Sequence, residues 1–272
     1  MQPTIRRILH RHWGRLLSLA ALAGCADTPT FSEPKADSNA GPDASARFGG
    51  VIAGAYVALD LGTLGGNASV ATAINDAGQV AGRSTTASGE EHAFRWQRAV
   101  MTDLGTLGGD YSEAVAINDA GRVTGSSPTT ANEGHAFLWR HGVMNDLGTL
   151  AGIGESGGLA INEAGQVTGW SATLTQPGHA FLWQRGVMID LDTQGSDYSR
   201  GVAINEAGDV AGNVVLEGTE LGFVWRRGVM TVLRGPNGSP SAAFAINDAG
   251  SVTGWRMTES GAARATLWRR SR

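Results

Sequence analysis

Ala73-Ile74-Asn75-Asp76-Ala77-Gly78 (AINDAG) returns, with Asp or Glu at its fourth place, at Ala116, Ala160, Ala203 and Ala245. The offsets are 43, 44, 43 and 42 residues, so the chain is an array of one supersecondary unit repeated five times. Working outward through the second copy, Ser112 to Asn118 (SEAVAIN) reads as a short strand, Asp119-Ala120-Gly121 as a turn and Arg122 to Ser126 (RVTGS) as its hairpin partner. A polar loop (SPTTANEG) leads into His135 to Trp139 (HAFLW), a reversal at Arg140 to Gly142, and a last strand at Val143 to Leu147 (VMNDL). Short strands between closely spaced turn signals, with no helical period, predict an all-β chain.

The apolar positions repeat as well. Trp96, Trp139, Trp183, Trp225 and Trp268 hold one place in the five units, preceded by Phe94, Phe137, Phe181, Phe223 and Thr266. Runs such as AFLW are apolar on both faces, and a strand of that kind must be covered on both sides, which stacked sheets provide. The tryptophans therefore read as packing between sheets more than as an aromatic ligand belt. Four antiparallel strands per repeat is the economy of a propeller blade. The fifth repeat runs through only three strands before Arg272, whereas Tyr56 to Gly62 (YVALDLG) matches the fourth-strand pattern of Val100 to Gly105 (VMTDLG). The expectation is a five-bladed β-propeller of four-stranded blades, closed by an N-terminal strand that completes the last blade. Closure would remove the free edges that the alternative, an open array, must cap.

The motifs His92-Ala93-Phe94, His135-Ala136-Phe137 and His179-Ala180-Phe181, with DLGTLGG at Asp60 to Gly66 and Asp103 to Gly109, resemble the bacterial extracellular HAF-repeat family over about residues 56 to 272. The fourth and fifth repeats depart from it, with Leu221-Gly222-Phe223 and Arg264-Ala265-Thr266 in place of the histidine motif. The resemblance implies an exported repeat protein and brings no activity with it.

Residues 1–24 read as a lipoprotein signal peptide. Arg6, Arg7, Arg11 and Arg15 precede an uncharged stretch, Leu16 to Gly24, too short to span a membrane and followed at once by Cys25. Leu22-Ala23-Gly24-Cys25 resembles the bacterial lipobox, so Cys25, the single cysteine, is the expected lipidation site. Residues 25–47, rich in Ala, Ser, Asp and Pro, read as a flexible tether, and 48–272 as the propeller. The expected location is the cell envelope, lipid-anchored, with the outer membrane favoured because Asp27 lies near the modified cysteine. Without the four leader arginines, 17 basic residues face 25 acidic ones, a net charge of −8, which argues against nucleic acid as a partner. The chain is expected to be monomeric.

No catalytic constellation emerges. His92, His135 and His179 lie on different blades, too far apart to share a metal ion, and by analogy with WD-type blades Asp103, Asp146 and Asp190 are their expected hydrogen-bond partners. The Asn-Asp-Ala-Gly turns lack the alternating carboxylates of a calcium loop. Gly154-Glu155-Ser156-Gly157-Gly158 matches the hydrolase pattern G-x-S-x-G, but Ser156 leads into a strand where a nucleophile elbow needs a helix. No cofactor and no metal is expected. The repeats stop agreeing in the loops between their second and third strands, and one matched position carries Arg83, Ser126, Trp170, Asn213 and Trp255. Variable loops on a rigid scaffold are where binding sites are commonly built, so Trp170, Trp255 and Arg83, with Tyr111 and Tyr198 in the crossovers, are the candidate ligand-binding residues. The reading is a binding module for a glycan or a surface protein. The alternatives are a glycan-processing enzyme using Glu133, Glu155 or Asp197, and a structural envelope component.

Overall fold

The computed structural model describes residues 58–172, 178–191, 195–196 and 198–270; the predicted leader, Cys25 and tether lie outside these residues. Ala58–Arg272 forms one compact unit. Its β-rich repeats become antiparallel meanders. The first sheet is β1 (Gly65–Ile74), β2 (Val80–Thr86), β3 (Glu91–Gln97) and β4 (Val100–Asp103). The second is β5 (Glu113–Ile117), β6 (Val123–Pro128), β7 (Gly134–Arg140) and β8 (Val143–Asp146), and the third β9 (Glu155–Ile161), β10 (Val167–Ala172), β11 (His179–Gln184) and β12 (Val187–Asp190). The fourth is β13 (Tyr198–Ile204), β14 (Val210–Leu216), β15 (Thr219–Arg226) and β16 (Val229–Leu233). The fifth has three strands, β17 (Ser241–Ile246), β18 (Val252–Met257) and β19 (Ala263–Trp268).

Turn chemistry explains the meanders. Between the third and fourth strands the two turn residues both take positive φ, at Arg98 and Ala99, His141 and Gly142, Arg185 and Gly186, and Arg227 and Gly228. That is the backbone of a two-residue hairpin whose twist suits the flanking strands. The first strand of each sheet carries a bulge, for example between Ala114 and Ala116. There Gly125, like Gly82, Gly169, Gly212 and Gly254, leaves no room for a Cβ against the carbonyl of the strand beside it.

Successive sheets stack face to face, and their cores lie between them. Ala81, Ala93 and Leu104 of the first sheet meet Ala114, Val123, Phe137 and Trp139 of the second. Leu138 and Leu147 then meet Val167 and Phe181, and Leu182 and Leu191 meet Val210 and Phe223. The last contact sets Ala211 of the fourth sheet against Ala243 and Val252 of the fifth. The tryptophans join these layers as expected: Trp139 belongs to the first of them, and Trp183, Trp225 and Trp268 pack against the others.

The conserved-looking AIN block does more than turn the chain. Each Asn amide donates to the backbone carbonyl of the same Asn in the next sheet: Asn75 to Asn118 at 2.8 Å, Asn118 to Asn162 at 2.9 Å, Asn162 to Asn205 at 3.0 Å and Asn205 to Asn247 at 3.0 Å. The same side chains accept from the backbone N–H four residues on, as Asn118 does from Arg122 at 2.9 Å. The acidic residue that follows extends the ladder. Asp119 accepts from the Asp76 N–H, Glu163 from Asp119, Glu206 from Glu163 and Asp248 from Glu206. The alternation of Asp and Glu at that place is therefore permitted by function as a carboxylate acceptor.

A second set of hydrogen bonds ties crossovers to sheets. Ser112 accepts from the Ala93 N–H at 2.7 Å and donates to the Gly105 carbonyl at 2.6 Å. Ser156 does the same with Ala136 and Gly148, and Ser241 with Gly222 and Leu233. Ser156 is 1% exposed and holds a sheet contact together, which accounts for the G-x-S-x-G match without a nucleophile.

The ends differ from the expectation. Tyr56 and Val57 fall outside the described residues, Ala58 to Gly62 form no strand, and β17–β18–β19 has no fourth partner, so the ring is not closed among the described residues. Leu59, 68% exposed, has no strand edge alongside it. The outer faces of the terminal sheets are accordingly bare: Ile74 is 70% exposed and Leu267 47%, although its equivalents Leu138 and Leu182 are buried.

Because Asn118 is buried and makes one hydrogen bond through each end of its amide, Asn118→Ala should lower stability by about 2 kcal/mol, read as a shift of the urea midpoint at unchanged m-value. An unchanged midpoint would show that the ladder carries no stability.

Candidate functional site

The five candidates fall into two clusters and one outlier. Arg83, Trp170 and Trp255 share one strand position, two residues beyond the place of the core residue Ala81, whereas Tyr111 and Tyr198 come from the segments that enter the following sheets. Arg83 on β2 extends across to β5, where its Nη1 sits 2.6 Å from Glu113, while its Nε sits 2.5 Å from Glu91 on β3. Tyr111 donates its hydroxyl to the other Glu113 oxygen at 2.5 Å. Arg83 and Tyr111 are thus brought together, through a carboxylate that sequence reading overlooked. The signal was present: Glu113 occupies the place of Val70, Gly157, Arg200 and Ala242, and it is the acid among them, opposite the arginine of its neighbouring repeat.

The electrostatics of this cluster are those of a satisfied network. Burial alone would lower the Arg83 guanidinium, but Glu113 and Glu91 outweigh it and hold the group charged. Burial pushes the Tyr111 hydroxyl far above its ordinary value, and its hydrogen bond to Glu113 adds to the rise. Arg83 therefore joins two sheets with its charge already matched.

The second cluster is aromatic. Trp170 on β10, in register with Gly157 and Ala180, lies with its indole beside Gly157, where a Cβ would meet its Nε1. Trp170 and Tyr198 of β13 both lie where a Cβ on Gly178 would meet them. Tyr198 is raised by burial, with Arg200 acting against the shift. The rest of the loop that ends at Gly178, residues 173–177, lies outside the described residues, as does Asp197. Trp255 stands on β18 between Ala242 and Ala265, half-buried and two sheets beyond Trp170. Asn213, at the same matched position, clamps the backbone of Ala243 with both ends of its amide, at 2.8 and 3.2 Å.

The histidines behave as supports. His92 Nδ1 lies 2.9 Å from Asp103, His135 Nδ1 2.9 Å from Asp146 and His179 Nδ1 3.0 Å from Asp190, each pair joining the third and fourth strands of one sheet. In the fourth sheet both partners change together, to Leu221 and Val232. Among the described residues no group of three His, Cys, Asp or Glu side chains is placed to hold a metal ion. Among them, too, no helix is long and apolar enough to cross a membrane.

No protein-family model and no curated protein matches the chain. Among solved structures it is similar to the β-propeller domain of the trilobed protease from Pyrococcus furiosus, at 9% identity over 70% of this chain and 61% of that one, with a TM-score of 0.46. It is also similar to TolB from Acinetobacter baumannii, at 12% identity over 74% of this chain and 54% of that one, TM-score 0.45. Virginiamycin B lyase from Staphylococcus aureus gives 13% identity over 73% and 69%, TM-score 0.44. The chain spans less than two thirds of the first two.

The raised tyrosines make stability depend on alkali. Their contribution is complete below the ordinary tyrosine value of about 10 and is lost as pH climbs above it, because the unfolded chain then ionises while the folded one resists. The urea midpoint should fall between about pH 9.5 and 11, and Tyr111→Phe should flatten that fall. An identical slope in the variant would remove Tyr111 from the account.

Proposed function

We propose that the protein is an exported, lipid-anchored β-propeller that presents a glycan- or protein-binding face, with Cys25 as the lipidation site and residues 26–47 as the tether. The observation that carries this reading is that Trp170 and Tyr198 both lie close to Gly178, at the edge of a loop whose length and chemistry change from repeat to repeat. Aromatic faces held by a stiff sheet suit the apolar faces of sugar rings, at small cost in side-chain entropy. A glycan is the first ligand class, and a surface protein the alternative.

Ring closure belongs to the same proposal, and three local features support it. Asp60 accepts from the Gly62 N–H at 2.9 Å, as Asp103 does from Gly105 and Asp146 from Gly148, so the chain enters the first sheet the way it leaves a fourth strand. Ser69 donates to the Gly62 carbonyl as Ser112 does to Gly105, and its place toward a preceding sheet matches that of Ala93 against Ser112. Arg264 stands where the first three sheets carry the histidine that pairs with such an aspartate. Pairing residues 58–60 beside β19 would bring Asp60 to Arg264.

Two experiments test these readings. On mixed glycan and protein arrays, Trp170→Ala should abolish a saturable signal seen with the parent protein; signal that persists in the variant removes the aromatic cluster from the site. Arg264→Asp should lower thermal stability by roughly 0.5–1 kcal/mol, and adding Asp60→Arg should restore it. Purely additive losses would reject the Asp60–Arg264 contact.

A further inference from the structure

The tight-turn end of the first two sheets, at the opposite strand ends from Trp170 and Tyr198, carries a recess of about 260 Å³. Its lining carries the guanidinium groups of Arg95, Arg122 and Arg140 and the imidazole of His141, with Trp139 as the apolar wall and no acidic side chain. That composition runs against the chain as a whole, in which 25 acidic residues outnumber 21 basic ones. Three arginines gathered around one concavity raise the local positive potential and concentrate anions.

Arg95 is the most telling of the three. It occupies the place on its strand that carries Leu138, Leu182, Val224 and Leu267 in the other sheets, a position fully buried at Leu138 and Leu182. The guanidinium lies over the Trp139 ring, 4.7 Å from its centroid, and its Nη1 reaches the Gly121 carbonyl at 3.4 Å. Its Nε is buried with no hydrogen-bond partner. Among the described residues no carboxylate lies within ion-pair distance of Arg95, Arg122 or Arg140, and the nearby Glu163 carboxylate is taken by the N–H groups of Asp119 and Ala120. Arg122 spends one donor on the Glu163 carbonyl, at 3.1 Å. A charge half-withdrawn from water with a donor left unmatched is costly unless a counter-charge arrives.

We propose that this recess is a binding site for a tetrahedral oxyanion, phosphate or sulfate, free or as the ester group of a larger ligand. Arg95, stacked on Trp139, contributes its guanidinium charge at the wall of the recess, while Arg122 and Arg140 neutralise charge from the rim. The volume accommodates such a group with several ordered waters. Guanidinium groups suit it, because their fork of donors matches two oxygens at once.

The test uses the full mature chain with sodium phosphate, sodium sulfate and sodium acetate titrated at constant ionic strength, read by calorimetry and thermal shift. Phosphate and sulfate should bind saturably, and Arg95→Leu should weaken both at least tenfold. That variant restores the side chain the second and third sheets carry, so its melting temperature without anion should equal or exceed the parent's. Arg140→Ala, at the exposed end of β7, gives an independent arm and should weaken binding several-fold. An anion response that is unchanged in Arg95→Leu, or that sodium chloride reproduces, overturns the site. Acetate binding as tight as phosphate overturns the tetrahedral assignment.

Discussion

The constraint on which the rest depends is the hydrogen-bond ladder of asparagines. A β-meander of four short strands cannot bury both of its apolar faces alone, and two such sheets sliding over one another would lose register without much loss of apolar contact. The Asn ladder removes that freedom. Each amide is held at its oxygen by its own turn and aims its nitrogen at one carbonyl of the next sheet, so one geometry satisfies every donor. Missing it by a residue would leave a buried amide unpaired, which costs more than the bond contributes when formed. Nonpolar layers between sheets then provide bulk stabilisation around a registration the polar groups define.

Given that registration, the repeats differ only where it does not matter to the ladder. The matched strand position is an example: Arg83 with Glu113 and Asn213 with Ala243 are two chemistries for one contact between neighbouring sheets, whereas Trp170 lies beside Gly157 of its own sheet. Variation there is accommodated by compensation across the interface, and within a single sheet the change from His and Asp to Leu221 and Val232 is likewise made in both partners together. The proposed binding face and the basic recess occupy opposite strand ends of the same scaffold. Arg95 breaks the repeat's own pattern inside an otherwise apolar layer, and such local violations are expected where a chain serves something beyond folding.

Much of this was legible in the residues. The strand order, the turns at Asn-Asp-Ala-Gly and Arg-Gly and the interleaved tryptophans follow from spacing and turn chemistry, while the pairing of His92, His135 and His179 with their aspartates was reached by analogy with WD-type blades. The Asn ladder was hidden because a residue suited to a turn is also suited to a bond 43 residues away, and nothing in a local pattern distinguishes the two uses. Glu113 was passed over for a related reason: its partner Arg83 lies in another repeat, and only stacking brings them together.

The sequence by itself determined the repeat, its strands and its apolar layers, since these depend on the period of side chains along a chain and on the φ values that Gly and Asn permit. Only the tertiary structure decided what each repeated residue contacts. It made the AIN block a joint between sheets, Ser156 a clamp on a crossover, and Arg95 a charge set beside Trp139 in an acid-free recess. These are distances between residues far apart in the chain, and they are set by how one sheet lies on the next.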